Sequence, residues 1–292
     1  MAYPVIPAPY GLKPVSLIGG QPFAGQIRQY PIPYNYATTI YNGDFVSLTK
    51  GMIQRDSVTA NAGNTVGIFT GCSYTDPNTK QRTFRQYYPA NTAAGDIVAY
   101  VVDDPDAIFK AVVVPSGWTQ GSALASAAFA VIGQNMQMVN ATPASILFGD
   151  SLNGVVAFSG TGAPATTSTF PVRVMDLVRE TAVTLGTANY SSGDTTASIT
   201  LQSNVTFSVP VGTEVGFLDG NGFYVSTQAY VATAITANTT SALALNVAMP
   251  ATAYNVLTAL GAGTPLIFTQ YPEVYVKINF GQHYYYAATG VN

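Results

Sequence analysis

Few residues in this chain have the chemistry for catalysis. It holds one histidine, His283, and one cysteine, Cys72. A nucleophilic triad needs such a histidine to meet a serine or the thiol, and an acid, in space. No Gly-x-Ser-x-Gly elbow is present to present a serine. Zinc sites need clustered Cys and His, so one of each makes no site within one chain. His283 stands in Gln282-His283-Tyr284-Tyr285-Tyr286, where a packed or hydrogen-bonded ring is expected. Asp103-Asp104-Pro105-Asp106 is a cluster of acids without the spacing or distal Glu of a calcium loop; it reads as a solvated turn between two strands. Asp44 and Asp96 each follow a glycine, in Gly43-Asp44-Phe45-Val46 and Gly95-Asp96-Ile97-Val98. Asp beside Gly is ordinary turn chemistry, because the carboxylate bonds nearby amides. Neither a Walker pattern nor a dinucleotide fingerprint occurs in a fitting context. The expectation is a protein without catalytic residues, cofactor or metal.

One cluster suits recognition instead. Lys80, Arg82 and Arg85 interleave with Phe84, Tyr87 and Tyr88. Aromatic and basic residues in alternation can stack single-stranded nucleic acid, but a net charge of -3 gives little electrostatic capture. Arg and Tyr are also characteristic anchors of protein interfaces, and that is the expectation here, with no nucleic-acid partner.

The elements that position these residues are strands. Only 9% of the 292 residues are charged, against 48% apolar and 12% aromatic; a globular domain usually carries about 25% charged residues. A surface so poor in Lys, Glu and Asp and so rich in Tyr suits burial against partners, so self-association as a dimer or trimer is expected. Short apolar runs separated by turns predict strands at 45–48, 66–69, 83–88, 96–102, 107–113, 197–201, 215–218 and 273–280, with a further one before the Asn42-Gly43-Asp44 hairpin turn. Asp219-Gly220-Asn221-Gly222 predicts another turn. Helix is expected over Ala123–Val131 and Ala253–Leu260. The fold class expected is mainly β: a β-sandwich or barrel, tulip-like body, with an extended arm and a second β-domain. Residues 1–36, rich in Pro, Gly and Tyr, read as an arm lying on a neighbouring subunit; 37–180 as a docking body; 181–270, without any Lys or Arg, as an inserted or appended β-domain; and 271–292 as a terminal strand and tail returning to the body. No run is long and apolar enough to span a membrane as a helix, the N-terminus has no signal-peptide pattern, and a single cysteine suits a reduced compartment of synthesis.

Several stretches resemble a known group. Tyr10-Gly11-Leu12-Lys13-Pro14-Val15, Gly19-Gly20-Gln21-Pro22-Phe23-Ala24-Gly25, Tyr36 to Leu48, Thr70 to Asp76, Tyr88-Pro89-Ala90, Val101 to Phe109 and Glu273 to Val291 look like virion proteins of tailed phages of marine bacteria and cyanobacteria. The Gly-Asp-x-Val strand followed by Val66-Gly67-Ile68-Phe69 is similar to head decoration proteins of the lambda type. The resemblance covers about residues 10–110 and the terminal twenty. It implies a cement protein on the outer capsid surface whose partner is the major capsid protein. Leu12, Pro14 and Phe23 of the arm, Arg82, Phe84, Arg85 and Tyr87 of the basic segment, and Tyr275 and Tyr284 near the end are the expected contact residues. This chain is far longer than a simple lambda-type protein. A glycan- or receptor-binding fibre module is the alternative, ahead of the major capsid protein itself, which would carry a long spine helix.

Overall fold

The structure, a computed structural model, describes residues 8–56, 65–141, 149–156, 164–218, 224–225, 231, 233–239, 242–279 and 281–286. In chain order the strands begin with β1 (Lys13–Leu17), β2 (Arg28–Pro31), β3 (Phe45–Thr49) and β4 (Met52–Arg55). Next come β5 (Thr65–Thr75), β6 (Arg82–Arg85), β7 (Val98–Val102) and β8 (Ala107–Val114). The short strands β9 (Asn135–Met136), β10 (Met138–Val139) and β11 (Gly154–Val156) lead to β12 (Val172–Leu177). The series continues with β13 (Val183–Thr195), β14 (Ser198–Leu201), β15 (Glu214–Leu218), β16 (Tyr224–Val225) and β17 (Ala242–Ala244). Helix α1 (Ala251–Leu260), β18 (Pro265–Gln270) and β19 (Glu273–Ile278) complete it. The protein is mainly β, of the sandwich and barrel class.

Two compact units share the chain. The larger runs over Val5–Ala125, Gly133–Asp176 and Glu273–Asn292; the smaller holds Ser126–Ile132 and Leu177–Pro272. The basic-free segment expected over 181–270 lies within the smaller unit, whose sheet runs β16-β15-β18-β13-β14-β17. Val231 joins its two ends. Its amide donates to the Thr213 carbonyl and its carbonyl accepts from Gly212, just before β15, while it bridges Leu245 just past β17. The result is a nearly closed barrel around Tyr190, Ile199, Leu201, Phe217, Leu243 and Phe268, and closure removes the open edges that strands otherwise present.

The larger unit holds two sheets. One runs β10-β11-β8-β19-β12-β9, with β1 also on β8; the other runs β2-β7-β5-β3-β4, with β6 also on β5. The second sheet packs on Ile40, Val46, Ile53, Val66, Phe69, Cys72, Tyr88, Ala99 and Val101. β5 is its spine, pairing with β7 on one edge and with β3 and then β6 along the other. Gly67 permits this packing, since a Cβ there would sit 2.0 Å from the Val102 carbonyl oxygen.

Three expectations are corrected. Residues 8–36, expected as an extended arm, belong to the larger unit and pair within it. β1 pairs antiparallel with β8, β2 with β7, and Leu12 is fully buried, its amide donating to the Gly43 carbonyl at 3.0 Å. The prolines do not forbid this: Pro14 sits where the β1–β8 register shifts, a place where a missing donor is tolerated. The Asn42-Gly43-Asp44 turn forms, the Asp44 amide donating to Tyr41 O at 3.0 Å, but the chain before it bridges Tyr88 through Ile40 rather than pairing with β3. The hairpin partner of β3 is β4, across Lys50 and Gly51, both at positive φ as a two-residue type I′ turn requires. The helix expected at Ala123–Val131 is reduced to a 3-10 turn at Phe129–Val131. Its backbone is taken by extended partners: Ala125 N donates to Val113 O, and Ala127 bridges Tyr271. Helix α1 does form, ending at Gly261 with φ 79°. The Asp219–Gly222 turn and Phe280 lie outside the described residues.

Candidate interaction surface

The basic–aromatic segment forms β6 and the turn that feeds it. Asp76 builds that turn. Its Oδ1 accepts from the amides of Asn78 at 2.8 Å and Thr79 at 3.1 Å, and the Lys80 amide closes on Asp76 O at 2.8 Å. These amide bonds, from Thr79 first and then Asn78, hold the Asp76 carboxyl below its ordinary range. Lys80 takes φ 59° to turn the chain back. Earlier in β5, its register with β7 shifts between Phe69 and Gly71. β6 follows, paired over Cys72↔Arg85 to Thr75↔Arg82.

The two faces of β6 differ. Arg85 and Thr83 stand opposite Cys72 and Tyr74, which belong to the core. Arg82 and Phe84 stand on the other face. Arg82 is held by Ser73 Oγ, 2.8 Å from its Nη2, and by an exposed pair with Asp96 at 3.6 Å. Ser73 Oγ in turn meets the Tyr100 hydroxyl at 2.9 Å. Asp96 is fixed by the Thr75 hydroxyl at 2.7 Å and the Thr75 amide at 3.0 Å, which together lower its carboxyl pKa. Phe84 is 70% exposed, more than any other large hydrophobic side chain among the described residues. Arg85 packs its guanidinium 5.9 Å from the Tyr87 ring centre, and Tyr87 stacks on Tyr41 at 6.2 Å. The outer face of β6 therefore presents Phe84 beside Arg82, while Arg85 and Tyr87 pair on its other face.

Beneath it, Asp44 is fully buried and joins the start of β3 to the chain entering β11. Its Oδ1 accepts from Ser151 Oγ at 2.5 Å and Asn153 Nδ2 at 2.9 Å; its Oδ2 accepts from the Tyr41 amide at 2.9 Å. Arg55 Nε lies 2.9 Å from Oδ2, off the direction of a hydrogen bond, so the link is an ion pair. Burial pushes the Asp44 carboxyl up, and Arg55 and Ser151 pull it back. Among the described residues this is a structural node.

The acids at 103–106 are not all solvated, which corrects the turn reading. Asp103 is buried, and its Oδ2 accepts from Tyr285 at 2.7 Å and Tyr30 at 2.8 Å, with Arg28 Nε at 3.2 Å. Arg28, Asp103, Asp104 and Tyr285 line an open cleft of about 390 Å³. Burial, then the bond to Tyr284, holds the Tyr30 phenol protonated. His283 is buried beside them. Its Nδ1 accepts the Tyr285 amide at 3.3 Å, and burial lowers its pKa. Cys72 is buried with its thiol pushed up to about 12, the opposite of a reactive thiolate. No group of three or more His, Cys, Asp or Glu among the described residues is placed to hold a metal.

The nine expected contact residues thus separate. Arg82, Phe84 and Arg85 are exposed and Tyr87 is half-buried beside them. Pro14, Phe23, Tyr275 and Tyr284 are half-buried in the chain's own packing: Tyr275 is paired with Lys110, and the Tyr284 hydroxyl meets Tyr30 at 2.9 Å. Leu12 is buried and is withdrawn as a contact residue. Asp96, which fixes Arg82, was read only as a turn residue; its pairing across β5 and β7 leaves no local signal. No protein-family model, no curated protein and no solved structure matches this chain.

Proposed function

We propose that this chain is a structural virion protein that binds the outside of a phage capsid and stabilises it as a cement protein. The observation that carries the reading is Phe84, 70% exposed on the outer face of β6 with Arg82 beside it, on a strand paired to β5. An aromatic residue presented on a rigid strand beside an arginine is what an interface anchor requires. The low charge of the whole chain supports a surface covered by partners, including further copies of itself. Stabilisation in this role is mechanical: many modest contacts repeated over the shell add through avidity. The longest helix among the described residues has ten residues, which favours cement over a shell protein built on a long spine helix. The test compares shells stripped of the chain with complete shells under heat and low salt. Earlier rupture of stripped shells, reversed by adding back the chain but not its Phe84→Ala/Arg85→Ala variant, is expected. Equal resistance would overturn the reading.

A further inference from the structure

We propose that Lys13, Asn42 and Asp150 form a self-crosslinking triad: the Lys13 amine displaces ammonia from the Asn42 side-chain amide and joins β1 to the turn before β3 by an isopeptide bond. The proposal goes beyond the cement reading and stands or falls apart from it.

Three segments of the larger unit meet at these residues, each held through its backbone. Gly11 and Gly43 pass so close that a Cβ on Gly11 would sit 2.6 Å from the Gly43 carbonyl oxygen, and one on Gly43 2.8 Å from that of Tyr10. The Leu12 amide donates to the Gly43 carbonyl at 3.0 Å, which sets Lys13 beside Asn42. Asn42 and Asp150 form a parallel bridge, the Asn42 amide donating to Gly149 O at 3.0 Å and the Ser151 amide to Asn42 O at 2.9 Å. The side chains converge accordingly. Lys13 Nζ donates to Asn42 Oδ1 at 3.1 Å and to Asp150 Oδ1 at 2.6 Å. Gln86 Nε2 donates to the same Asp150 oxygen at 3.0 Å and steadies the carboxylate.

An ion pair requires only the lysine and the acid; the amide is what makes this arrangement reactive. Asn42 Cγ lies one C=O bond, about 1.2 Å, from the oxygen that Nζ contacts, and a turn of the amide about its Cβ–Cγ bond brings its face to the amine. Groups held about 3–3.5 Å apart react as if at very high concentration, and here three backbone segments do the holding. Asp150 takes a proton from Nζ, and the freed lone pair attacks Cγ while the carbonyl π pair moves to Oδ1. When the carbonyl re-forms, the Cγ–Nδ2 bond breaks and its electron pair leaves with Nδ2. Two protons from Nζ, relayed by Asp150, convert that nitrogen to ammonium. Asp150 ends as it began, and no oxidant or further reactant enters. The Lys13 and Asp150 side chains keep 33% and 39% of their exposure, which leaves the ammonium a path to solvent. The rival reaction at Asn42-Gly43, ring closure by the Gly43 amide nitrogen, is opposed because that N–H is bonded to Phe69 O at 2.8 Å.

The test uses the full-length chain, sampled from the start of purification onward. Its intact mass should fall by that of one ammonia. Trypsin, which leaves Lys13-Pro14 uncut and cleaves after Arg28 and Lys50, should then release residues 1–28 and 29–50 as one linked species. Lys13→Arg, which keeps the charge beside Asp150, should abolish the link. Asp150→Ala should slow its formation about a hundredfold or more, with circular dichroism of both variants unchanged. Full mass and separate peptides in the aged wild type would overturn the proposal. So would loss of ammonia with separate peptides, which marks ring closure at Asn42-Gly43, or linkage that forms as fast in Asp150→Ala as in wild type.

Discussion

Replacing Arg55 by Met should destabilise the larger unit in a way that depends on pH. The guanidinium of Arg55 faces Asp44 at 2.9 Å, the Asp44 carboxylate is fully buried, and the Arg55 side chain is itself nearly so. Removing one partner of a buried pair leaves an uncompensated charge and costs about 3–5 kcal/mol. Ser151, Asn153 and the Tyr41 amide still donate to Asp44, which puts the cost near the lower end, about 3 kcal/mol at pH 7. For domains of 150–250 residues that is a fall in Tm of roughly 6–12 °C. The pH dependence follows from the same contact. Arg55 draws the Asp44 pKa down against burial, so the variant carries a folded-state pKa raised further above the unfolded one. The folded variant then binds the extra proton first, and its deficit relative to wild type shrinks as pH falls through that raised value. Urea unfolding of both proteins at pH 7 and pH 5 reads the effect. A deficit under about 1 kcal/mol, or one that is the same at both pH values, would refute the reasoning.

Three further outcomes follow from packing and burial. Gly67→Ala drives a Cβ to 2.0 Å from the Val102 carbonyl and should cost about 2–3 kcal/mol, because backbone on both sides must move; unchanged thermal unfolding would contradict the close β5–β7 packing. Cys72, its thiol raised to about 12 by burial, should be inert to an aromatic disulfide reagent at pH 8 in the native protein and react freely in denaturant, measured by absorbance; fast native reaction would show the core opening. His283 is held neutral by burial, its pKa below the ordinary 6.5. The unfolded state therefore takes up the proton first, and stability present above about pH 6.5 declines as pH falls below it. The protection factor of the Tyr284 amide, bonded to Thr65 O at 2.9 Å, should fall between pH 7.5 and 5. His283→Gln should remove that response, and an identical response in the variant would place its origin elsewhere.

What could be read from the residues, and what could not, divides by range. Strands with clear turn punctuation, such as β3, β7, β8 and β14, were legible because apolar alternation and Gly-Asp turns are local signals. The hairpin partner of β3 was misassigned because Asn42-Gly43 is the stronger hairpin dipeptide, while Lys50-Gly51 adopts the two positive φ values without advertising them. Ala123–Val131 has helix-forming alanines, but Val113 and Tyr271 claim its backbone, and tertiary pairing overrides propensity. The proline-rich start looked like an arm because its pairing strands, β7 and β8, lie some seventy to a hundred residues later. Arg82, Phe84 and Arg85 were found as a contact cluster because they are neighbours in sequence; Ser73 and Asp96, which fix Arg82, are assembled only by the sheet. Asp44 and Asp103 show the same limit. Each stands in what reads as an ordinary turn, and only the fold brings Arg55 and Ser151 to the first and Tyr30 and Tyr285 to the second.

The most direct test of the account is a reconstruction of particles that carry this chain, at a resolution that traces strands. The account predicts the chain on the outer surface of the shell, the outer face of β6 against a shell subunit and Phe84 covered. A chain forming the shell lattice itself, or one whose Lys80–Tyr87 hairpin faces solvent all round, would contradict it.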